Sequence, residues 1–259
     1  MLHLTERTIF RYNIDCRENG TEKFQTMLDA IFFDLDGTLL PMDNDVFTEG
    51  YLKLLSAALL PHGYEPREML SAMWRGVSAM VKNDGSETNE VAFFRAFAER
   101  LGERVYADER HLDAFYRSDF HRAKEFTAPT PNAKTAVSLA REKAGRVVLA
   151  TNPLFPAVAV EARLEWAGLS PSDFDLVTTY ENSRATKPNP LYYRLILDTF
   201  GARAENSLMI GNHADEDIRA AASVGMKTFF LTDCQMGNAD GLSTPSGDFK
   251  ALFSYLAAL

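Results

Sequence analysis

From residue 129 onward the chain alternates short apolar runs with amphipathic stretches. Arg146–Ala150, Asp175–Tyr180, Ser207–Ile210 and Lys227–Thr232 read as buried strands. The segments Asn132–Lys143, Ala157–Ala167, Leu191–Phe200, Ile218–Val224 and Phe249–Leu259 read as helices, most of them closed by a glycine. Strands joined by helices must run parallel, because each crossover returns the chain to the same edge, and crossovers in such sheets are right-handed. The pattern predicts an α/β fold with a doubly wound parallel sheet.

One more apolar run, Ile31-Phe32-Phe33, stands far upstream and ends on Asp34-Leu35-Asp36-Gly37-Thr38. Ligands of open α/β sheets bind at the carboxyl ends of the strands, and this run delivers two carboxylates there. Like charges so close need a cation or a shared proton to hold them together. Asp-Gly is also ordinary turn chemistry, so the pair gains meaning only from what joins it.

Between the first strand and residue 129 the period changes to 3.6. Apolar residues recur at helical spacing over Phe47–Leu60, Glu68–Val81, a third stretch capped by Thr88 with Val91, Phe94 and Phe97 inward, and Asp108–Phe120. These methionine and aromatic stripes read as core, and residues 44–128 as an all-helical unit inserted beside the paired carboxylates, where it suits a lid. Residues 27–43 and 129–259 then form the α/β core. Residues 1–26 are polar and break off before the first strand; they read as an extension without catalytic duty, consistent with a misplaced translation start before Met27.

With 259 residues and 46% hydrophobic side chains, the chain can bury a sizeable core. Its net charge of −9, without a basic stripe, argues against nucleic acid. Two cysteines, Cys16 and Cys234, make neither a disulfide framework nor a zinc site and point to a reducing, cytoplasmic compartment. No apolar run approaches the roughly 18 residues of a membrane span, and no signal sequence is evident. The five histidines show no metal-ligand spacing. No coiled-coil repeat marks an oligomeric state.

The predicted strand ends bring together Asp34 and Asp36, Thr151 and Asn152, Lys187, and Asn212 with Asp215 and Asp217. Carboxylates, a hydroxyl, an amide and one lysine suit a hard cation and a phosphoryl group. Glu216 is expected to point outward on its helix start, and His213 to cap a helix rather than bind metal.

These segments resemble the haloacid dehalogenase-like hydrolase superfamily. Asp34-Leu35-Asp36-Gly37-Thr38 resembles its first motif, Thr151 its second, Lys187-Pro188 its third, and Gly211-Asn212 with Asp217 its fourth. The 44–128 insert resembles the family's helical cap. The resemblance implies that Asp34 attacks phosphorus to form an aspartyl-phosphate and that Asp36 is the acid and base. It implies further that Thr151, Asn152 and Lys187 hold the phosphate, and that Mg2+ sits on Asp34, the Asp36 carbonyl, and Asn212 or Asp217. Family members commonly carry aspartate where this chain has Asn212, which removes a negative charge from the metal site.

The expected activity is a Mg2+-dependent phosphatase acting on a small phosphorylated metabolite. Asp36 argues against dehalogenation, which does not require it. Phosphonate cleavage would require a desolvated cap lysine, and neither Lys53 nor Lys82 is marked as one. A sugar-phosphate mutase and a binding protein with decayed catalysis are the alternatives, the last supported only by Asn212.

Overall fold

The computed structural model describes residues 27–259, so the expected extension over 1–26 lies outside the described residues. Six strands form one parallel sheet: β1 (Leu28–Phe33), β2 (Ala144–Leu149), β3 (Leu176–Val177), β4 (Ser207–Gly211), β5 (Lys227–Leu231) and β6 (Ser246–Gly247). Their order is β3-β2-β1-β4-β5-β6. Among the described residues, five helices lie between β1 and β2 and five follow: α1 (Asn44–Leu59), α2 (Pro66–Val81), α3 (Asn89–Leu101), α4 (Arg104–Ala107) and α5 (Glu109–Arg117), then α6 (Asn132–Lys143), α7 (Ala157–Trp166), α8 (Pro190–Phe200), α9 (Ala220–Ser223) and α10 (Phe249–Ala258), α4 and α9 being single short turns.

Side chains of β1 alternate between two cores, as a strand covered on both sides requires. Ile31 and Phe33 enter a core shared with α6, α7 and α10, while Ala30 and Phe32 pack against Tyr192, Tyr193 and Ile196 of α8. Burying each large apolar side chain contributes about 1.5–3 kcal/mol. β1 is flanked by β2 and β4, and the chain leaves it in opposite directions to reach them. The crevice at such a switch point is where ligands bind.

Register fixes what lines that crevice. Phe33 pairs with Leu149 and with Ile210, so Asp34 leaves the sheet one residue past that level and Thr151 and Asn212 two residues past it, on adjacent strands. Asp34 N–H donates to Ile210 O at 3.0 Å, and Ala150 N–H to Phe33 O at 2.7 Å, extending the ladders past the strands.

Some expectations need correction. The third strand is two residues rather than 175–180, because the Asn182 side chain takes Thr179 N–H and Phe155 O takes Tyr180 N–H. Those bonds turn the chain off the sheet. β6 was not foreseen; a two-residue Ser-Gly strand carries no apolar signal. The helix expected over 108–120 stops at Arg117, and a 3-10 turn covers Asp119–Phe126. Val91, expected inward, lies on the outer face at 48% exposed, whereas Phe93 of α3 is buried.

The helical stretch joins the sheet through paired linkers: Met42 and Thr127 form an antiparallel bridge, and Ala128 N–H donates to Pro41 O at 2.7 Å. A second attachment was not foreseen. Asn89, fully buried at the start of α3, donates from Nδ2 to Pro153 O and Ala185 O, both at 3.2 Å. Its own N–H donates to Ser183 O at 2.8 Å. No helix among the described residues is long and apolar enough to cross a membrane.

Candidate active site

The carboxyl ends of β1, β2 and β4 enclose a cavity of about 210 Å3 lined by Asp34, Asp36, Thr151, Asn152, Asn212, Glu216 and Asp217. Lys187 sits just behind this lining and is 2% exposed. Its Nζ donates to Asp34 Oδ1 at 2.7 Å and to Asp217 Oδ1 at 2.6 Å. Burial opposes the ammonium charge, yet Asp217 and Asp34 hold its pKa well above the ordinary lysine value. Burial raises the Asp217 carboxyl, against the pull of Lys187. Removing one member of such a group would leave an uncompensated charge in a low dielectric.

Each carboxylate is positioned from two sides. Thr38 Oγ1 lies 3.2 Å from Asp34 Oδ2 and 2.9 Å from Asn212 Oδ1. Asp217 Oδ2 accepts from His213 N–H at 2.9 Å. Two glycines allow this crowding. A Cβ on Gly37, whose φ is +82°, would stand 2.2 Å from Asn212 Nδ2, and one on Gly211 would stand 2.3 Å from the Asp217 carboxyl carbon. A side chain at either place would push a cavity residue aside.

Thr151 is buried, and its carbonyl accepts from Thr178 Oγ1 at 2.8 Å and Tyr192 OH at 2.9 Å, which fixes the end of β2. Asn152 lines the cavity but is also engaged: its Oδ1 accepts from Lys187 N–H at 3.2 Å, and its Nδ2 donates to Glu216 Oε2 at 2.9 Å. Glu216 therefore turns inward, contrary to expectation, because the Asn152 amide offers it a donor. Asp215 turns outward to Arg219 at 2.8 Å and does not replace the charge missing at Asn212. His213 caps the π-helical turn Ala214–Arg219, accepting from the N–H groups of Asp215 and Glu216 on Nδ1.

Asp36 has a partner that sequence reasoning missed. Arg163 of α7 is entirely buried; its guanidinium donates to Asp36 Oδ2 and lies 4.2 Å from the Phe155 ring centroid. Burial raises the Asp36 carboxyl, Arg163 draws it back down, and the Asp34 charge raises it again. Asp36 Oδ1 and Arg163 Nη2 have no hydrogen-bond partner among the described residues. The signal was present: Arg163 lies four residues after Ala159 and three before Trp166, both buried, so it interrupts an apolar helical stripe.

Among the described residues, no three His, Cys, Asp or Glu side chains gather closely enough to hold a metal by themselves. The donor set nonetheless fits a hard cation that keeps waters and takes substrate oxygens. Asn212 Nδ2 donates to Cys234 O at 2.6 Å, which leaves its Oδ1 toward Thr38 and Asp34. An amide oxygen and two carboxylates thus share one rim.

The haloacid dehalogenase-like hydrolase family profile matches residues 28–225. The chain belongs to that family. It is 27% identical over 219 residues to the ribulose-1,5-bisphosphate 5-phosphatase of Halopiger xanaduensis, covering 82% of this chain and 88% of the relative. It is 30% identical over 219 residues to the phosphoglycolate phosphatase of Photorhabdus laumondii, covering 83% and 86%. The fold is shared with the 2-haloacid dehalogenase of Pseudomonas syringae, at a TM-score of 0.59, 19% identity and coverage of 90% and 99%. It is shared also with the magnesium-bound HAD-hydrolase YfnB of Bacillus subtilis, at a TM-score of 0.54, 19% identity and coverage of 90% and 100%.

Proposed function

We propose that this family member is a phosphatase that hydrolyses a small phosphomonoester through an aspartyl-phosphate on Asp34. The observation that carries the reading is the buried Lys187 ammonium, 2.7 Å from Asp34 and 2.6 Å from Asp217 at the switch point of the sheet. It holds the Asp34 carboxyl in place and presents positive charge where phosphoryl oxygens arrive.

In the first step an Asp34 oxygen bonds to phosphorus, the ester P–O bond breaks, and Asp36 gives its proton to the departing oxygen. In the second, water attacks the same phosphorus, Asp36 takes the water proton, and the P–O bond to Asp34 breaks. Thr151 and Lys187 orient the phosphoryl group, while Asn152 holds the Lys187 main chain. Asp34, the Asp36 carbonyl, Asn212 and Asp217 would hold Mg2+, which supplies charge neutralisation to phosphate oxygens when bound. The helical unit over 44–128 acts as a cap that excludes water.

Support comes from Asp36 and its fixed position, which phosphate chemistry uses, and from the phosphatase names of the curated relatives. Phosphonate cleavage is disfavoured because Lys53 is an exposed partner of Glu49. The cysteine count keeps the reading in the cytoplasm. Phosphate release from 4-nitrophenyl phosphate with Mg2+ tests it against Asp34→Asn. A rate lost in the variant supports the proposal, and equal rates overturn it.

A further inference from the structure

The catalytic cavity adjoins a second one, about 310 Å3, between the helical stretch and the loops after β2 and β3. Thr48, Leu154 and Phe155 line both. The size lies at the lower end of the roughly 300–1,000 Å3 that ligand pockets span. Its walls are ring faces: Tyr51 of α1, Phe93 of α3, Tyr116 of α5, and Phe155 and Tyr180 from the core. Tyr51 and Phe155 stand 5.4 Å apart between centroids, Phe93 and Tyr180 6.3 Å. The hydroxyls of Tyr51 and Tyr116 bond to each other at 2.9 Å, so these two rings ask nothing polar of a guest.

The charge of this chamber is one-sided. Glu90, Glu109 and Glu181 line it and make no ion pair among the described residues. Glu181 accepts from Ala157 N–H at the start of α7, at 2.9 Å. The Glu90 carboxyl is raised by burial and by the charges of Glu181 and Glu109. The one lining cation among the described residues, Arg117, is already paired with Asp113 at 2.8 Å. An alcohol carrying a carboxylate would meet like charge here, with no free lining cation among the described residues to receive it. A protonated amine would meet carboxylates and aromatic faces, both of which attract cations.

We propose that this chamber receives the leaving alcohol of the substrate, and that this alcohol has a flat apolar body bearing a protonated amine. The inference rests on the phosphatase reading for its position, and on the chamber alone for its chemistry. It separates this chain from the relative named for phosphoglycolate, whose alcohol is an anion.

Three phosphate esters of matched size test it: tyramine phosphate, 4-ethylphenyl phosphate and 4-(phosphooxy)phenylacetate. The expected kcat/KM order is cation, then neutral, then anion, with about tenfold or more between the ends, as cation–π and carboxylate contacts imply. Replacing Glu109→Lys together with Glu90→Gln should shift the ratio toward the phenylacetate ester. Calorimetric binding of free tyramine against free 4-hydroxyphenylacetate reads the chamber without catalysis. Binding of tyramine alone supports the inference even if no ester is hydrolysed, an outcome that would sink only the phosphatase reading. Equal or stronger binding of the phenylacetate, or an ester order with the anion first, overturns the inference.

Discussion

Phe155 stands between two cavities with opposite walls. On one side are carboxylates, amides and a buried lysine, supplied by strand ends and each fixed by bonds from two directions. On the other side are ring faces from three helices and two loops, with the carboxylates of Glu90, Glu109 and Glu181 around them. The first set can tolerate little displacement, because Lys187 sits within 2.7 Å of both of its acidic partners. The second depends on shape and net charge, and single residues there can change without touching the strand ends. The proposed reading places chemistry on the strand ends and selection on the chamber beside the inserted helices.

The sharpest way to break this contrast is at Lys187. Lys187→Met should cost about 3–5 kcal/mol in denaturant unfolding, since it strands Asp34 and Asp217 as buried like charges, and should abolish phosphate release. A variant of unchanged stability would show that the strand-end cluster is not mutually dependent.

Arg163 tests whether the wall between the cavities serves the catalytic side. Arg163→Met should lower kcat by up to about a hundredfold with little change in KM, and Arg163→Lys should restore part of it. A raised KM with kcat intact would assign Arg163 to the aromatic chamber instead.

Asn89 tests how firmly the inserted helices are fixed. Asn89→Ala removes a buried amide from Pro153 O and Ala185 O and should cost about 1–3 kcal/mol, with faster hydrogen exchange at the start of α3. Exchange unchanged there would mean that the linkers at Met42 and Thr127 suffice.

The smallest expected effect is a control at the opposite end of β1. Asp29 accepts from Arg203 and Asn206, which hold its carboxyl well below the usual range. Its contribution is full above the unfolded carboxylate value near about 4 and is lost as pH falls toward the folded one. Asp29→Asn should therefore flatten the loss of thermal stability below that pH and leave both cavities unaltered.

The strand-end residues were legible because two periods and one register determine them: Phe33, Leu149 and Ile210 are level, so whatever follows each must converge. Helix ends at Thr88 and the glycines were legible from local cap chemistry. Arg163, Asn89 and Glu216 were not, since each gains its role from a partner far along the chain. An arginine in a helix ordinarily reads as solvated, and only its place between Ala159 and Trp166 hints otherwise. The aromatic chamber was hidden for a related reason: the stripes that form it look identical to core packing until Tyr180 and Phe155 arrive from the sheet.

The proposed chemistry requires that Asp34 become covalently phosphorylated. Rapid acid quench during turnover of an aryl phosphate, followed by peptide mass analysis, should find one added phosphoryl group on the peptide containing Asp34 and none in Asp34→Asn. Full turnover with that peptide unmodified at every quench time, or with the group on another residue, would contradict the account.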